Sequence, residues 1–261
     1  MIPSPIARVL STLASHQVRF LLMGGQACIV YGAAEFSRDI DLCIHIHAAN
    51  LERLRAALSE LEAEPVYVPE LSADFLERGH ACHFRCGLAE VRGLRIDVMG
   101  RMRGVEPWAC VWRRRREITV PGLGRMPLLA LPDLVLAKKT QRDKDWPMIR
   151  RLVEADIFGS QSHASTAQIE FWLRECRTPE LLVSLCSAHR KAARALTRVR
   201  TVLEPALQGD LLAVRRTLIE EEESERERDR EFWKPLKEEL EVLRRQRRRP
   251  RPADTSRARS P

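Results

Sequence analysis

The sequence predicts an α+β protein: a mixed sheet flanked by helices, then an all-helical C-terminal region and a disordered basic tail. Three observations carry this prediction. Short apolar or alternating runs recur between residues 18 and 128. Helix-spaced apolar residues and Gly-bearing turns separate them. From residue 167 to 248 the chain then holds a single glycine, Gly209, and is rich in Leu, Ala, Glu and Arg. The expected units are a sheet-bearing domain over 1–158, a helical domain over 165–248 and an Arg/Pro-rich tail over 249–261.

Val18 to Met23 is a β-branched and aliphatic run closed by Gly24-Gly25, the pattern of a buried strand entering a tight turn. A short helix follows through Tyr31. Ile40 to Ile46 is a second strand, and Leu51 to Glu62 places apolar residues at 51, 54, 58 and 61, one face of a helix. Strands over Ala81 to Cys86 and Leu94 to Met99 flank a Gly-bearing turn. Shorter strands fit Ile118 to Val120 and Arg125 to Leu128. Leu131-Pro132-Asp133 opens a helix, with proline early where its missing N–H costs little, and the apolar period runs on to about Val153. Gly159 to Ser165 reads as a linker. Glu220 to Arg230 is a mixed-charge run of the kind that forms a solvated helix face. Pro250 to Pro261 carries too little apolar surface to offset its ordering entropy.

The net charge of +8 over 261 residues is a property of the tail. Residues 244–261 hold eight arginines and one acid, which leaves 36 basic and 35 acidic residues in the first 243. Those arginines read either as salt-dependent affinity for nucleic acid or as a solubilising end. Seven scattered cysteines, with no Cys-x-x-Cys pair and no secretory leader, point to a reducing cytoplasm. No apolar run reaches the roughly 18 residues that a bilayer span needs, so no membrane partner is expected.

The chemistry concentrates in Gly24-Gly25, thirteen further residues, and then Asp39-Ile40-Asp41-Leu42. Residues two apart on a strand share a face, so Asp39 and Asp41 present adjacent carboxylates while Ile40 and Leu42 enter the core. Their mutual repulsion is relieved by divalent cations, Mg²⁺ or Mn²⁺. Leu94-Arg95-Ile96-Asp97-Val98 offers a third acid. If the two strands are neighbours, Asp97 completes a metal-binding and catalytic cluster with room for two ions. The glycines would let backbone N–H groups approach a phosphate closely. Taken alone, Asp-x-Asp also describes an ordinary solvated strand end.

These residues resemble the nucleotidyltransferases of the DNA polymerase β superfamily, within it the small bacterial branch that includes AbiEii-type toxins. The family pattern is matched by Met23-Gly24-Gly25, Asp39-Ile40-Asp41 and Asp97, and its lead-in by Tyr31-Gly32 and Phe36-Ser37-Arg38. Glu35 departs from it, since a basic residue is usual there. A further match is Leu131-Pro132-Asp133-Leu134 with Lys138, Arg142, Lys144 and Asp145, in which Lys138 and Arg142, four apart, are expected on one helix face above a triphosphate. The likeness spans roughly residues 15 to 155.

The resemblance implies a nucleotidyltransferase-like mixed sheet and an enzyme that moves a nucleoside monophosphate from a nucleoside triphosphate, ATP among them, to a hydroxyl. Asp39, Asp41 and Asp97 would bind metal, and Gly24, Gly25, Ser37 and Arg38 would hold phosphates. It further implies an RNA (tRNA) or protein acceptor and a cognate antitoxin as partner. Two rivals stay open: a non-catalytic nucleic-acid- or protein-binding member of the fold, and an aminoglycoside-type enzyme acting on a small molecule.

Other residues invite weaker readings. His80, Cys82, His83 and Cys86 suggest zinc, but alternation sends His83 to the opposite face from the other three, and no second ligand pair follows. His45 and His47 continue the Asp41 face as pocket-mouth or surface histidines. Arg113 to Arg116 is either an RNA-contacting segment or an exposed connector.

Overall fold

The computed structural model describes residues 4–160 and 163–248; the expected tail over 249–261 lies outside them. Its sheet-bearing part comprises, in chain order, α1 (Ser4–Ser15), β1 (Phe20–Met23), α2 (Gly24–Val30), β2 (Asp39–Ile44), α3 (Ala48–Glu60), β3 (Ala63–Pro65), α4 (Ala73–Arg78), β4 (Ala81–Cys86), β5 (Arg95–Met99), α5 (Trp108–Arg113), β6 (Arg116–Val120) and β7 (Gly124–Leu128). Helices α6 (Leu131–Ala137) and α7 (Asp145–Ser160) lead to α8 (Thr166–Glu175), α9 (Pro179–Ala188), α10 (Arg190–Leu196), α11 (Leu203–Gln208) and the long α12 (Leu211–Arg248). This is the expected mixed α+β architecture.

The seven strands form one sheet in the order β3-β4-β5-β2-β1-β7-β6. The β2–β5 and β1–β7 pairs are parallel and the remaining neighbours antiparallel. Alternation divides the β2–β5–β4 portion into two faces. Ile40, Leu42, Ile44, Ile96, Val98, Cys82, Phe84 and Cys86 are buried on one, each large apolar side chain contributing about 1.5–3 kcal/mol. The opposite face carries Asp39, Asp41, Arg95, Asp97 and His83. Helix α1, with Ile6, Val9, Leu10 and Leu13 at helical spacing, and α3, with Leu51, Leu54, Ala57 and Leu58, join the same core.

A Ser165–Gln168 capping box starts α8. The first turns of α12 bury Val214 and Leu218 with the helical part, and its later turns return to the sheet domain. There Asp229 accepts from Arg103 and Glu239 pairs with Arg78 and the buried His80. Among the described residues no helix is long and apolar enough to cross a membrane, and all seven cysteines are free thiols.

The sequence reading differs from this structure in places. Helix α1, the three-residue β3 and the six-residue α4 and α5 were not expected, being short or lacking a strong period. The single helix expected from Leu131 to Val153 is two, α6 and α7, joined by residues 138–144. Strand β2 ends at Ile44, so His45 and His47 lie just beyond it, where His45 stacks on Trp108 with ring centroids 5.4 Å apart.

Candidate active site

The candidate site is built on the polar sheet face. Parallel pairing sets Asp41 opposite Asp97, and antiparallel pairing sets Met23 opposite Asp41 and His83 opposite Asp97. One row therefore runs Met23, Asp41, Asp97, His83 across four strands. Paired residues in register project to the same face, with Cβ atoms roughly 5 Å apart, so Asp41 and Asp97 are side-by-side carboxylates. Asp39, Arg95 and Arg85 form the next same-face row. The three acids named from sequence thus occupy two adjacent strands and one face.

Against Asp41 lies the glycine pair, at the start of α2. Gly24 adopts φ +60°, a left-handed value that disfavours side chains, and a Cβ there would fall 1.8 Å from the Asp41 Oδ2. A Cβ on Gly25 would fall 2.2 Å from Ser37 Oγ. The Gly25 N–H donates to Asp41 Oδ2 at 3.3 Å. Both glycines are therefore required by close approach: the backbone wraps the Asp41 carboxylate on one side and the Ser37 side chain on the other. The buried Gln26 donates to the carbonyls of Ser37 and Asp39, and Ser37 Oγ donates to the Asp39 carbonyl. These bonds fix the loop that delivers the two acids. Arg38 is exposed, its guanidinium carbon 5.7 Å from the Phe36 ring centroid.

Burial, and after it the Asp97 carboxylate, push the Asp41 carboxyl above the usual carboxylate range; the Gly25 N–H and Lys138 offset this only in part. For Asp97 burial acts in the same upward sense but is outweighed. His83 Nδ1 lies 2.8 Å from Asp97 Oδ1, and Arg95 Nη2 lies 3.2 and 3.1 Å from the two carboxylate oxygens, so the Asp97 carboxyl sits below the usual range. Asp97 is held ionised, and Asp41 is the acid in need of a positive charge.

Lys138 ends α6 as its C-cap, and Arg142 lies in the following connector. The two do not share a helix face, because the helix expected to carry both is broken between them. They converge instead on buried Asp145. Lys138 Nζ is 3.3 Å from Asp145 Oδ1, while Thr140 Oγ1 and Arg142 Nε donate to Oδ2 at 2.6 and 2.7 Å. Burial would raise the Asp145 carboxyl, but Lys138, Thr140 and Arg142 together hold it below the usual range. Lys138 also stands close enough to Asp41 to lower its pKa, which brings this cation to the carboxylate face.

His83 was weighed only as a zinc ligand and Arg95 was given no role, although both grip Asp97. Treating residues 81–99 as an antiparallel hairpin, with Cys86 N–H donating to the Leu94 carbonyl, would have set His83 opposite Asp97. Of the other three residues weighed as zinc ligands, Cys82 and Cys86 are buried in the core, and His80 bonds Glu239 through Nε2 at 2.7 Å. Much of the Arg113–Arg116 run is engaged within the chain: Arg114 grips Asp133 at 2.7 and 2.6 Å, Arg115 covers Trp112, and Arg116 covers Tyr31.

In donor type, register and charge, Asp39, Asp41 and Asp97 are the residues that would hold a hard divalent cation. Among the described residues, however, no three His, Cys, Asp or Glu side chains stand gathered as ligands of one ion. Asp97 is turned to His83 and Arg95, and would have to exchange those partners to share a cation with Asp41.

No protein-family model matches the chain, and no curated protein matches it. Among solved structures, the chain is similar to a crystal structure of an H. pylori protein provisionally described as a nucleotidyltransferase. That similarity has a TM-score of 0.37 and 14% identity, over 82% of this chain and 93% of the other.

Proposed function

We propose that the chain is a metal-dependent nucleotidyltransferase that moves a nucleoside monophosphate from a nucleoside triphosphate to a hydroxyl of an RNA or protein acceptor. The observation that carries this reading is the in-register Asp41–Asp97 pair, with Asp39 on the same face and the Gly24-Gly25 backbone closed around Asp41. Asp39, Asp41 and Asp97 would hold Mg²⁺ or Mn²⁺. Such an ion supplies charge neutralisation for the triphosphate and makes the acceptor hydroxyl easier to ionise.

The chain's own residues then have separable roles. Asp97, once it has exchanged His83 and Arg95 for the cation, would take part in drawing the proton from the acceptor hydroxyl. The acceptor oxygen bonds to the α-phosphorus as the bond to the bridging oxygen breaks, and pyrophosphate leaves. Lys138 and Arg142, fixed through Asp145, face the triphosphate, and Arg38 and Ser37 hold it from the loop before β2. The acid-and-glycine spacing supports placement beside AbiEii-type proteins, and with it a toxin–antitoxin role and a cognate antitoxin.

The test incubates the full chain with Mg²⁺, α-labelled nucleotides and total RNA or cell protein. Label transfer that falls at least ~100-fold in Asp41→Asn is the expected result. A second reading, a binding protein that keeps the fold without catalysis, is favoured by the occupied state of Asp97. Absence of transfer with every nucleotide and acceptor supports it.

A further inference from the structure

A cavity of about 280 Å³ lies where the start of α7, the α8–α9 connector and α12 meet. It is lined by Asp143, Trp146, Pro147, Arg150, Arg177, Glu222 and Arg226, of which the last has its charge fully engaged. Arg226 bonds Glu222 at 3.0 and 2.6 Å, Asp143 at 2.5 Å and the Gln141 carbonyl at 3.2 Å. Those bonds also absorb the two acids of the lining.

Arg177 is different. Its side chain is 9% exposed and its guanidinium lies 4.5 Å from the Trp146 ring centroid. Its Nε is buried with no hydrogen-bond partner among the described residues. One Nη donates to the Leu218 carbonyl at the long distance of 3.4 Å. The other is 3.8 Å from Glu221 Oε2, an oxygen that Arg200 already holds at 3.0 Å. Burial and then the neighbouring Arg200 charge depress the Arg177 pKa, and the nearby carboxylates of Glu221, Glu175 and Glu222 offset this only in part. Exposed Arg150 adds a second guanidinium with no ion-pair partner among the described residues. A buried donor left unsatisfied costs about 1–3 kcal/mol, more when charged, so Arg177 on a cavity wall is a fixed demand for an anion.

We propose that this cavity is an oxyanion-binding site for a phosphate group, held by Arg177 from the wall and Arg150 from the rim over Trp146. Guanidinium forks match the oxygens of a phosphate two at a time, and a second fork adds both charge and orientation. The site is separate from the carboxylate face and rests on none of the residues assigned to nucleotide transfer. It nonetheless borders the connector that carries Lys138 and Arg142.

The full chain is titrated with inorganic phosphate, and separately with AMP as a phosphate monoester, by calorimetry in low-salt chloride buffer without divalent cations. Saturable binding is expected, weakened roughly ten- to hundredfold in Arg150→Gln and Arg177→Lys and unchanged in Arg142→Gln. A preference for AMP identifies the source as a phosphomonoester, and equal or better binding of phosphate identifies the free anion. Arg150 is exposed, so Arg150→Gln stays informative if Arg177→Lys folds poorly. The proposal is overturned if the chain binds neither anion, if both arginine variants bind as the wild type does, or if Arg142→Gln abolishes binding.

Discussion

Replacing Gly24 by alanine should damage the site and the fold together, by an amount the geometry sets. A residue other than glycine at φ +60° costs roughly 1–2 kcal/mol. The new methyl carbon would sit 1.8 Å from Asp41 Oδ2, so the carboxylate must turn away and surrender the Gly25 N–H. A hydrogen bond to a charged group contributes about 1.5–3 kcal/mol. Alanine's better helix propensity returns at most about 1 kcal/mol, and less in a first turn. The loss should be about 2–4 kcal/mol net, read as a lower urea midpoint at unchanged slope. Gly25→Ala is the internal comparison. Its φ is ordinary and its obstacle is Ser37, so Ser37→Gly should rescue Gly25→Ala and leave Gly24→Ala uncorrected. A Gly24→Ala protein within about 0.5 kcal/mol of wild type would refute the account of how the turn and Asp41 fit together.

Other perturbations probe the charges. Asp145 has a depressed carboxyl pKa, so its contribution is present above the ordinary carboxylate pKa near ~4 and is lost as pH falls through its lower folded value. Asp145→Asn should cost about 2 kcal/mol at neutral pH, and urea melts of the two proteins should converge in acid; a constant gap contradicts the assignment. Asp41, with its raised carboxyl, has the opposite sign: without divalent cations, Asp41→Asn should be more stable than wild type at neutral pH, a gain that fades as pH falls toward ~4. An Asp41→Asn protein less stable at neutral pH would show that the carboxylate is structurally favourable. Arg114→Ala strands the buried Asp133, which it grips with two hydrogen bonds. Breaking a buried pair costs ~3–5 kcal/mol; because Arg114 is more than a third exposed, about 2 kcal/mol is expected after solvent screening. Thermal melts check it, and a loss below about 0.5 kcal/mol would mean that water reaches Asp133.

Much of the sheet was legible because burial there follows alternation. Ile40 and Leu42 around Asp41, and Ile96 and Val98 around Asp97, mark strands whose polar residues share a face, and β4 runs over the residues expected of it. The adjacency of β2 and β5 was only a condition in the sequence, since parallel pairing of distant segments leaves no local trace. The break between α6 and α7 was hidden for a different reason. The single-helix reading bridged residues 138–145, which hold no apolar residue, because apolar residues return from Trp146; in that polar stretch Lys138, Thr140 and Arg142 fold back on Asp145. His83 was weighed only beside Cys82 and Cys86 as a zinc ligand, whereas its meaning lies in cross-strand register with Asp97. The role of α12 against the sheet, through Asp229 and Glu239, depends on a return of the chain that periodicity does not encode.

Whether three acids on one sheet face share divalent ions is settled most directly by titrating Mn²⁺ into the full chain and reading free ion by electron paramagnetic resonance. Saturable binding that weakens about tenfold or more in each of Asp39→Asn, Asp41→Asn and Asp97→Asn is the predicted result. No saturable binding, or binding indifferent to Asp41→Asn and Asp97→Asn, would contradict the metal site and leave Asp97 to Arg95 and His83.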